Sequence, residues 1–395
     1  MSRFLFVVPP LTGHINPAVG VAAELAARGH RVAWACPDPA LVARLAGPAA
    51  GEVMACAGAP RGERPAELRG PEALKFLWEW YLLPLAEAMA PGVRAAVEAF
   101  RPDVVVADQQ AFAGALVAER LGLPWATSAT TSAEFTDPLA GLPKVAAWLR
   151  ERLATLRESV GDPAARTDPR FSPHLVLAFS TPELAGGARD GVCWVGPSIT
   201  SRPAAAGFPW EWLDPGRGTV LVTLGTANAD VGGRFLDVCR TASRERADRV
   251  QTVIVDPGGT LASPGGAQGG TQGDKDVLIV PSVPQLALLE RGVDALVCHG
   301  GHNSVCEALW HATPLVVAPI RDDQPVVAGQ VVAAGAGVRV RFGRVAPRQL
   351  GTALDAVLDD PAHRAAAGRI GTAFRAAGGA PAAAARLDEL ARESR

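Results

Sequence analysis

The sequence has no excess charge of either sign: 38 Lys and Arg stand against 40 Asp and Glu, a formal net charge of −2. A nucleic-acid binder carries a clear basic footprint, so that class is excluded. No run approaches the ~20 consecutive apolar residues that a spanning helix needs, and much of the mean hydropathy of +0.15 is alanine. A membrane span is excluded too. Only six cysteines occur (Cys36, Cys56, Cys193, Cys239, Cys298 and Cys306), scattered without the spacing of a disulfide framework. They read as reduced thiols of a cytoplasmic protein. The amino terminus has one basic residue and an apolar run that stops at Pro9, without a small-residue cleavage site, so a strand is expected there and not a signal peptide. Also missing is a Gly-x-Gly-x-x-Gly or a Lys-Ser/Thr phosphate loop between a strand and a helix, which weakens a dehydrogenase reading.

What is present suits a soluble α/β protein. A chain of 395 residues is too long for one ordinary core and fits two domains. Short β-branched runs alternate with alanine-rich stretches, the pattern of parallel sheets. In the first half, strands are expected at residues 4–8, 31–35, 103–107 and 124–127, with helices at 18–28 and 113–121. Residues 201–217, dense in Pro, Gly and Ser, read as a linker. A second series follows, with strands at 219–224, 252–255, 277–280, 295–298 and 315–318 and helices at 235–247 and 326–334. Residues 257–273 hold seven glycines in seventeen positions and read as a surface loop.

Three stretches carry chemistry. In Cys298-His-Gly-Gly-His-Asn-Ser-Val-Cys-Glu307, a buried strand turns through two glycines into a helix. The first turn of such a helix leaves N–H groups unpaired at the positive end of its dipole, which suits a phosphate or diphosphate. An ordinary capped turn is the plainer alternative. Zinc on Cys298, His302 and Cys306 is disfavoured because the glycine break takes Cys298 off the helix. Near the start, His14 follows the first strand, and Asp108 ends a strand of the same half. Two titratable groups on one carboxyl edge can form a base and its orienter. Finally, Asp323-Gln324 ends a strand with a carboxylate and an amide side by side, a pair that accepts from and donates to vicinal hydroxyls.

Together these phrases resemble the plant-type UDP-glycosyltransferase superfamily, and within it the bacterial members that glycosylate antibiotics, macrolides and carotenoids. The resemblance runs through Gly13-His14-x-x-Pro17, Val222-Thr-Leu-Gly-Thr226, Val283-Pro-Gln285, His299-Gly-Gly-His-Asn-Ser-x-x-Glu307 and Pro314…Asp323-Gln324. It implies the GT-B fold, two Rossmann-like domains facing across a cleft. Residues 1–200 would bind the acceptor and residues 218–375 the nucleotide sugar, with residues 376–395 returning as a helix to the first domain. By the same resemblance His14 is the general base and Asp108 its partner carboxylate. Thr226, His299, Asn303 and Ser304 meet the diphosphate, Glu307 the ribose, Gln285 and the Val283 backbone the nucleoside, and Asp323 and Gln324 the sugar. Thr12, Gly13, Ser282, Gly301 and His302 complete the expected donor contacts. Ser282 and His302 stand where Trp is frequent, which leaves the base open between uracil and thymine.

The expected activity is inverting, metal-independent transfer of a hexose from a UDP- or TDP-sugar to a hydroxyl of an apolar small molecule. No cofactor is expected beyond that co-substrate. Phe76, Trp80, Phe112 and Phe135 are the expected acceptor wall, whereas Leu74, Leu77, Trp78 and Tyr81 fall on a core-facing stripe. A lipid-linked or carotenoid acceptor is the alternative on the same fold. A non-catalytic nucleotide-sugar-binding partner would predict loss of His14 or Asp108, and both are present.

Overall fold

The computed structural model describes residues 1–60, 62, 65, 68, 70–136, 139–199, 208–225, 232–261 and 272–394. Two units emerge, residues 1–200 with 374–395, and residues 201–373. Each is a sheet between helices, wholly parallel in the first unit and mostly so in the second. In the first, β1 (Arg3–Val7), β2 (Arg31–Cys36), β3 (Glu52–Ala55), β4 (Val104–Asp108), β5 (Trp125–Ala129), β6 (Leu175–Ala178) and β7 (Val192–Trp194) lie in the order 3-2-1-4-5-6-7, all parallel.

The period of two along a strand explains why this sheet is covered on both faces. Phe4 and Phe6 of β1 join Val104 and Val106 of β4 in one core, together with the Thr12–Ala27 helix. Leu5, Val7, Val105 and Ala107 enter the other, against the Leu83–Phe100 and Phe112–Arg120 helices. The alternation therefore sets Asp108 on the face of Val104 and Val106, the side of the Thr12–Ala27 helix. That helix starts six residues before the sequence pattern suggests. Pro17 sits inside it, and a proline there removes one helical N–H without preventing the first turn from forming around it.

The chain end belongs to the first unit. The Gly379–Glu393 helix buries Ala383, Ala384, Leu387 and Ala391 against the same core as the Thr12–Ala27 helix. Close approach requires glycine at 196, where φ is +73° and a Cβ would stand 2.7 Å from the Phe374 carbonyl oxygen. The N–H of Gly379 donates to the Val195 carbonyl at 2.6 Å.

In the second unit, β8 (Gly218–Thr223), β9 (Val250–Val255), β10 (Gln272–Gly273), β11 (Val277–Val280), β12 (Ala295–Cys298), β13 (Leu315–Val317) and β14 (Gly337–Arg339) lie in the order 10-11-9-8-12-13-14. All pairs are parallel except β10 with β11. Of the segment read as linker, residues 208–217 dock on this unit. The Trp212 indole donates to the Asp274 carbonyl at 2.8 Å, and the Arg291 guanidinium lies 4.0 Å above the Trp210 ring. Most of the glycine-rich segment 257–273 lies outside the described residues. Among those described, no helix is long and apolar enough to cross a membrane.

Candidate active site

Strand order reverses direction beside the first strand of each unit, between β1 and β4 and again between β8 and β12. Ligands of open α/β sheets bind outside the carboxyl ends of the strands at such a switch point. The expected polar residues collect at these two places.

At the first, His14 comes from the opening turn of the Thr12–Ala27 helix and Asp108 from the end of β4. The Nδ1 of His14 is 3.0 Å from each Asp108 oxygen, and 94 residues of chain separate the two. The Asp108 carboxylate is fully buried, while the His14 side chain keeps 16% of its surface. Two more donors hold the carboxylate: the Gln110 N–H at 2.8 Å and the Thr130 hydroxyl at 3.2 Å. The Thr130 Oγ1 also lies 2.9 Å from His14 Nδ1. A carboxylate only accepts, so Nδ1 presents a proton to Asp108. Thr130 was not anticipated. It follows β5, the neighbour of β4, and opens the polar run Thr130-Thr131-Ser132, which is the signal that could have found it.

At the second switch point, His299 follows β12, Gly300 has φ of +86°, and Gly301 caps the His302–Trp310 helix. The His299 ring is wedged between glycines. A Cβ on Gly225, after β8, would stand 2.8 Å from its Cε1, and one on Gly301 would stand 2.4 Å from its Nε2. Burial, reinforced by the nearby Arg321 guanidinium, pushes the His299 imidazole down to about 4, so the ring is neutral near pH 7. Its Nδ1 is buried without a hydrogen-bond partner among the described residues.

Asn303 and Ser304 occupy the first turn of the helix, where N–H groups have no partner within it. One turn on, the buried Glu307 accepts from Gln285 Nε2 at 2.6 Å, and the same amide reaches Ser304 Oγ at 3.5 Å. Gln285 opens the Gln285–Gly292 helix, its N–H donating to the Val283 carbonyl. Ser282 is exposed just before it. His302 is buried and its Nε2 lies 3.4 Å from Cys306 Sγ. Among the described residues no group of three or more His, Cys, Asp or Glu gathers in a way that could hold a metal ion. Past β13, the Gln324 side-chain carbonyl accepts from the N–H groups of Ile320 and Arg321 at 2.9 and 3.0 Å, which shapes the loop carrying Asp323. Thr226 lies outside the described residues.

The four aromatic residues expected in an acceptor wall differ in exposure. Trp80 is 65% exposed and stacks on Phe76 at 6.0 Å. Phe135 meets Trp194 edge-on at 5.0 Å. Phe112, by contrast, is 1% exposed and stacked beneath the buried Trp78 at 5.3 Å. It is a core residue and offers no surface to an acceptor. Opening a helix directly under Trp78 leaves it nowhere else to go.

Two Rossmann-type units with polar clusters at their switch points define the GT-B class of α/β proteins. The UDP-glucoronosyl and UDP-glucosyl transferase family model matches residues 263–375, and a glycosyl transferase 4-like domain matches residues 12–167. The 4'-demethylrebeccamycin synthase of Lentzea aerocolonigenes is 31% identical, covering 93% of this chain and 94% of its own. The crystal structure of the glycotransferase of kitacinnamycin superposes with a TM-score of 0.78 at 26% identity, covering 98% of both chains. Spinosyn rhamnosyltransferase SpnG, complexed with thymidine diphosphate, gives a TM-score of 0.73 at 25% identity, covering 98% of this chain and 100% of that one. The chain belongs to the UDP-glycosyltransferase superfamily and is a glycosyltransferase.

Proposed function

We propose that this enzyme inverts configuration as it transfers a hexose from a UDP- or TDP-sugar to a hydroxyl of an apolar small-molecule natural product, without a metal. The observation that carries this reading is the buried Asp108 holding Nδ1 of the partly exposed His14. The acceptor hydroxyl attacks the anomeric carbon from the face opposite the diphosphate. His14 takes its proton, and Asp108 fixes the tautomer and stabilises the imidazolium that forms. The C–O bond to the diphosphate breaks as the new one forms, and the leaving oxygen keeps the electron pair. The first turn of the His302–Trp310 helix, with Asn303, Ser304 and the neutral His299, offsets that charge. Gln285 and Glu307 serve the nucleoside, and Asp323 and Gln324 the sugar.

The thymidine diphosphate bound to SpnG supports TDP as a donor nucleotide, and the family description supports UDP. The names of the relatives support a natural-product acceptor. Six cysteines without a disulfide fit a cytoplasmic setting. The deciding experiment incubates the protein with UDP- and TDP-hexoses and a panel of hydroxylated aromatic acceptors. Mass spectrometry should find a hexosylated acceptor, and the anomeric proton coupling in its NMR spectrum an inverted configuration, with less product from His14→Ala than from the wild type. A retained configuration would refute the single-displacement mechanism.

A further inference from the structure

The sheet of the second unit ends at β14 (Gly337–Arg339), which pairs with β13 and, among the described residues, with no other strand. In a parallel ladder, alternate residues turn their peptide groups to the same neighbour. Here the Ala336 carbonyl accepts from the Leu315 N–H at 3.0 Å, and the Val340 N–H donates to the Val317 carbonyl at 2.9 Å. The N–H and carbonyl of Arg339, out of step with both, therefore point away from β13 and out of the sheet. An edge of this kind is a template for a further strand.

Beside this edge lies a groove of about 500 Å³, walled on one side by the Pro347–Asp359 helix. Side chains alternate along a strand as its peptide groups do. Val338 and Val340 pack on the core that holds Val316 and Leu354, and with Ala353 of the helix they give the groove its apolar lining. Arg339 falls on the opposite face of the strand, and Arg341 and Arg344 line the groove with it. The turn that carries them is held in place. The Arg344 and Val345 N–H groups donate to the Arg341 carbonyl, and the Arg234 guanidinium donates to the Val345 carbonyl at 3.1 Å. All three arginines are exposed, and none forms an ion pair with a described residue. From Gln324 to Leu354 the chain has four arginines and no Asp or Glu. The next acid, Asp355, is taken by Arg246, whose Nε and Nη2 donate to its two oxygens at 2.7 Å.

We propose that the groove is a docking site for an extended segment of another protein in which acidic and apolar residues alternate, added beside β14 as a further strand. An incoming residue takes up the N–H and carbonyl of Arg339, and main-chain bonds of this kind give strand addition its affinity. Its apolar side chains meet Val338, Val340 and Ala353. Its acidic ones lie beside the three arginines, which choose the partner by charge. A second copy of this chain fits poorly, because pairing two β14 edges sets arginine against arginine. None of these residues serves the sugar transfer proposed above.

The test is fluorescence anisotropy, with the full chain titrated into a labelled Val-Glu-Val-Glu-Val-Glu-Val peptide and, as control, the same peptide with Lys for Glu. The acidic peptide should bind at least about tenfold more tightly than the basic one. Arg339→Ala combined with Arg341→Ala should lower its affinity roughly tenfold, within the worth of two exposed ion pairs, with Tm unchanged. Two forms of the peptide, N-methylated on one or the other set of alternate residues, separate strand addition from charge. Only one set of N–H groups meets the edge, so one form should keep binding and the other lose it. An acidic peptide that does not bind would mean that the arginines only guard the edge, and overturns the proposal. Equal binding of both methylated forms overturns it as well, since charge alone would then be recognised, and so does unchanged affinity in the double variant. A dimer in light scattering that the double variant abolishes would make the occupant a second copy and overturn it too.

Discussion

His14, Asp108 and Thr130 meet at the first switch point, and in the proposed mechanism the loss of His14 or Asp108 should separate proton transfer from donor binding. Removing a general base usually costs 10²–10⁴-fold, so His14→Ala should lower kcat by about that much. Affinity for UDP or TDP should hold, since His14 is not among the residues assigned to the nucleotide. Asp108→Asn should show a smaller defect, because an amide still meets Nδ1 but cannot stabilise the imidazolium. A phenol of pKa ~7 ionises without help, so it should suffer less than an aliphatic alcohol from either change. Measuring kcat for both variants with one acceptor of each kind checks the assignment; full turnover of the alcohol by His14→Ala would move the base elsewhere.

His299 permits a second test at this scale. Its folded value is about 4, below the ordinary 6.5 of the unfolded chain. The unfolded state therefore binds the extra proton between those values, and stability falls as pH drops from 6.5 towards 4 while staying level above 6.5. The loss approaches roughly 3 kcal/mol. Urea midpoints between pH 7.5 and 4.5 should fall less steeply for His299→Gln than for the wild type. Equal slopes would show that another group carries the pH dependence.

Among the elements, the glycine turn after β12 is the part most exposed to one small change. Gly301 has an ordinary φ of −62°, so alanine there meets no backbone strain; its cost is the Cβ placed 2.4 Å from His299 Nε2. The ring must move. Gly301→Ala should keep the far-ultraviolet dichroism of the wild type and weaken UDP and TDP binding by about tenfold, as read by calorimetry, near the worth of one charge-assisted hydrogen bond. Replacing Asn303 and Ser304 together by alanine should weaken both nucleotides similarly. Unchanged affinity in either variant would remove the turn from the donor site.

Legibility followed the strength of local signals. The central strands were visible because burial on both faces writes an unbroken apolar run, as in Val104-Val-Val-Ala107. The short strands Glu52–Ala55 and Val192–Trp194 are partly exposed and write no such run. Pro17 hid the true start of the His14 helix, since proline reads as a boundary. The His14–Asp108 pair could be suspected from two strand ends, but Thr130 joins it only because β5 lies beside β4, a long-range fact. Tyr81 fell on a core-facing helical stripe and packs against that core, but the π geometry of Leu77–Leu82 has no signature in hydrophobic periodicity.

Over the whole molecule, charge is balanced and the leaving group is not. The chain carries a formal −2, and in the proposed mechanism the departing diphosphate is steadied by local donors. A helix N-terminus is worth about half a positive charge, concentrated where N–H groups lack partners. In the proposed mechanism it would act without an ion and without reorganising during the reaction. In the His302–Trp310 helix that terminus adjoins Asn303, Ser304 and a His299 whose ring neutrality leaves it an N–H to donate. Turnover with a UDP- or TDP-hexose should therefore survive dialysis against excess EDTA, within about twofold of the untreated enzyme. Abolition by the chelator with recovery on adding Mg²⁺ would mean that a cation shares the diphosphate charge, and the helix terminus would lose its leading role.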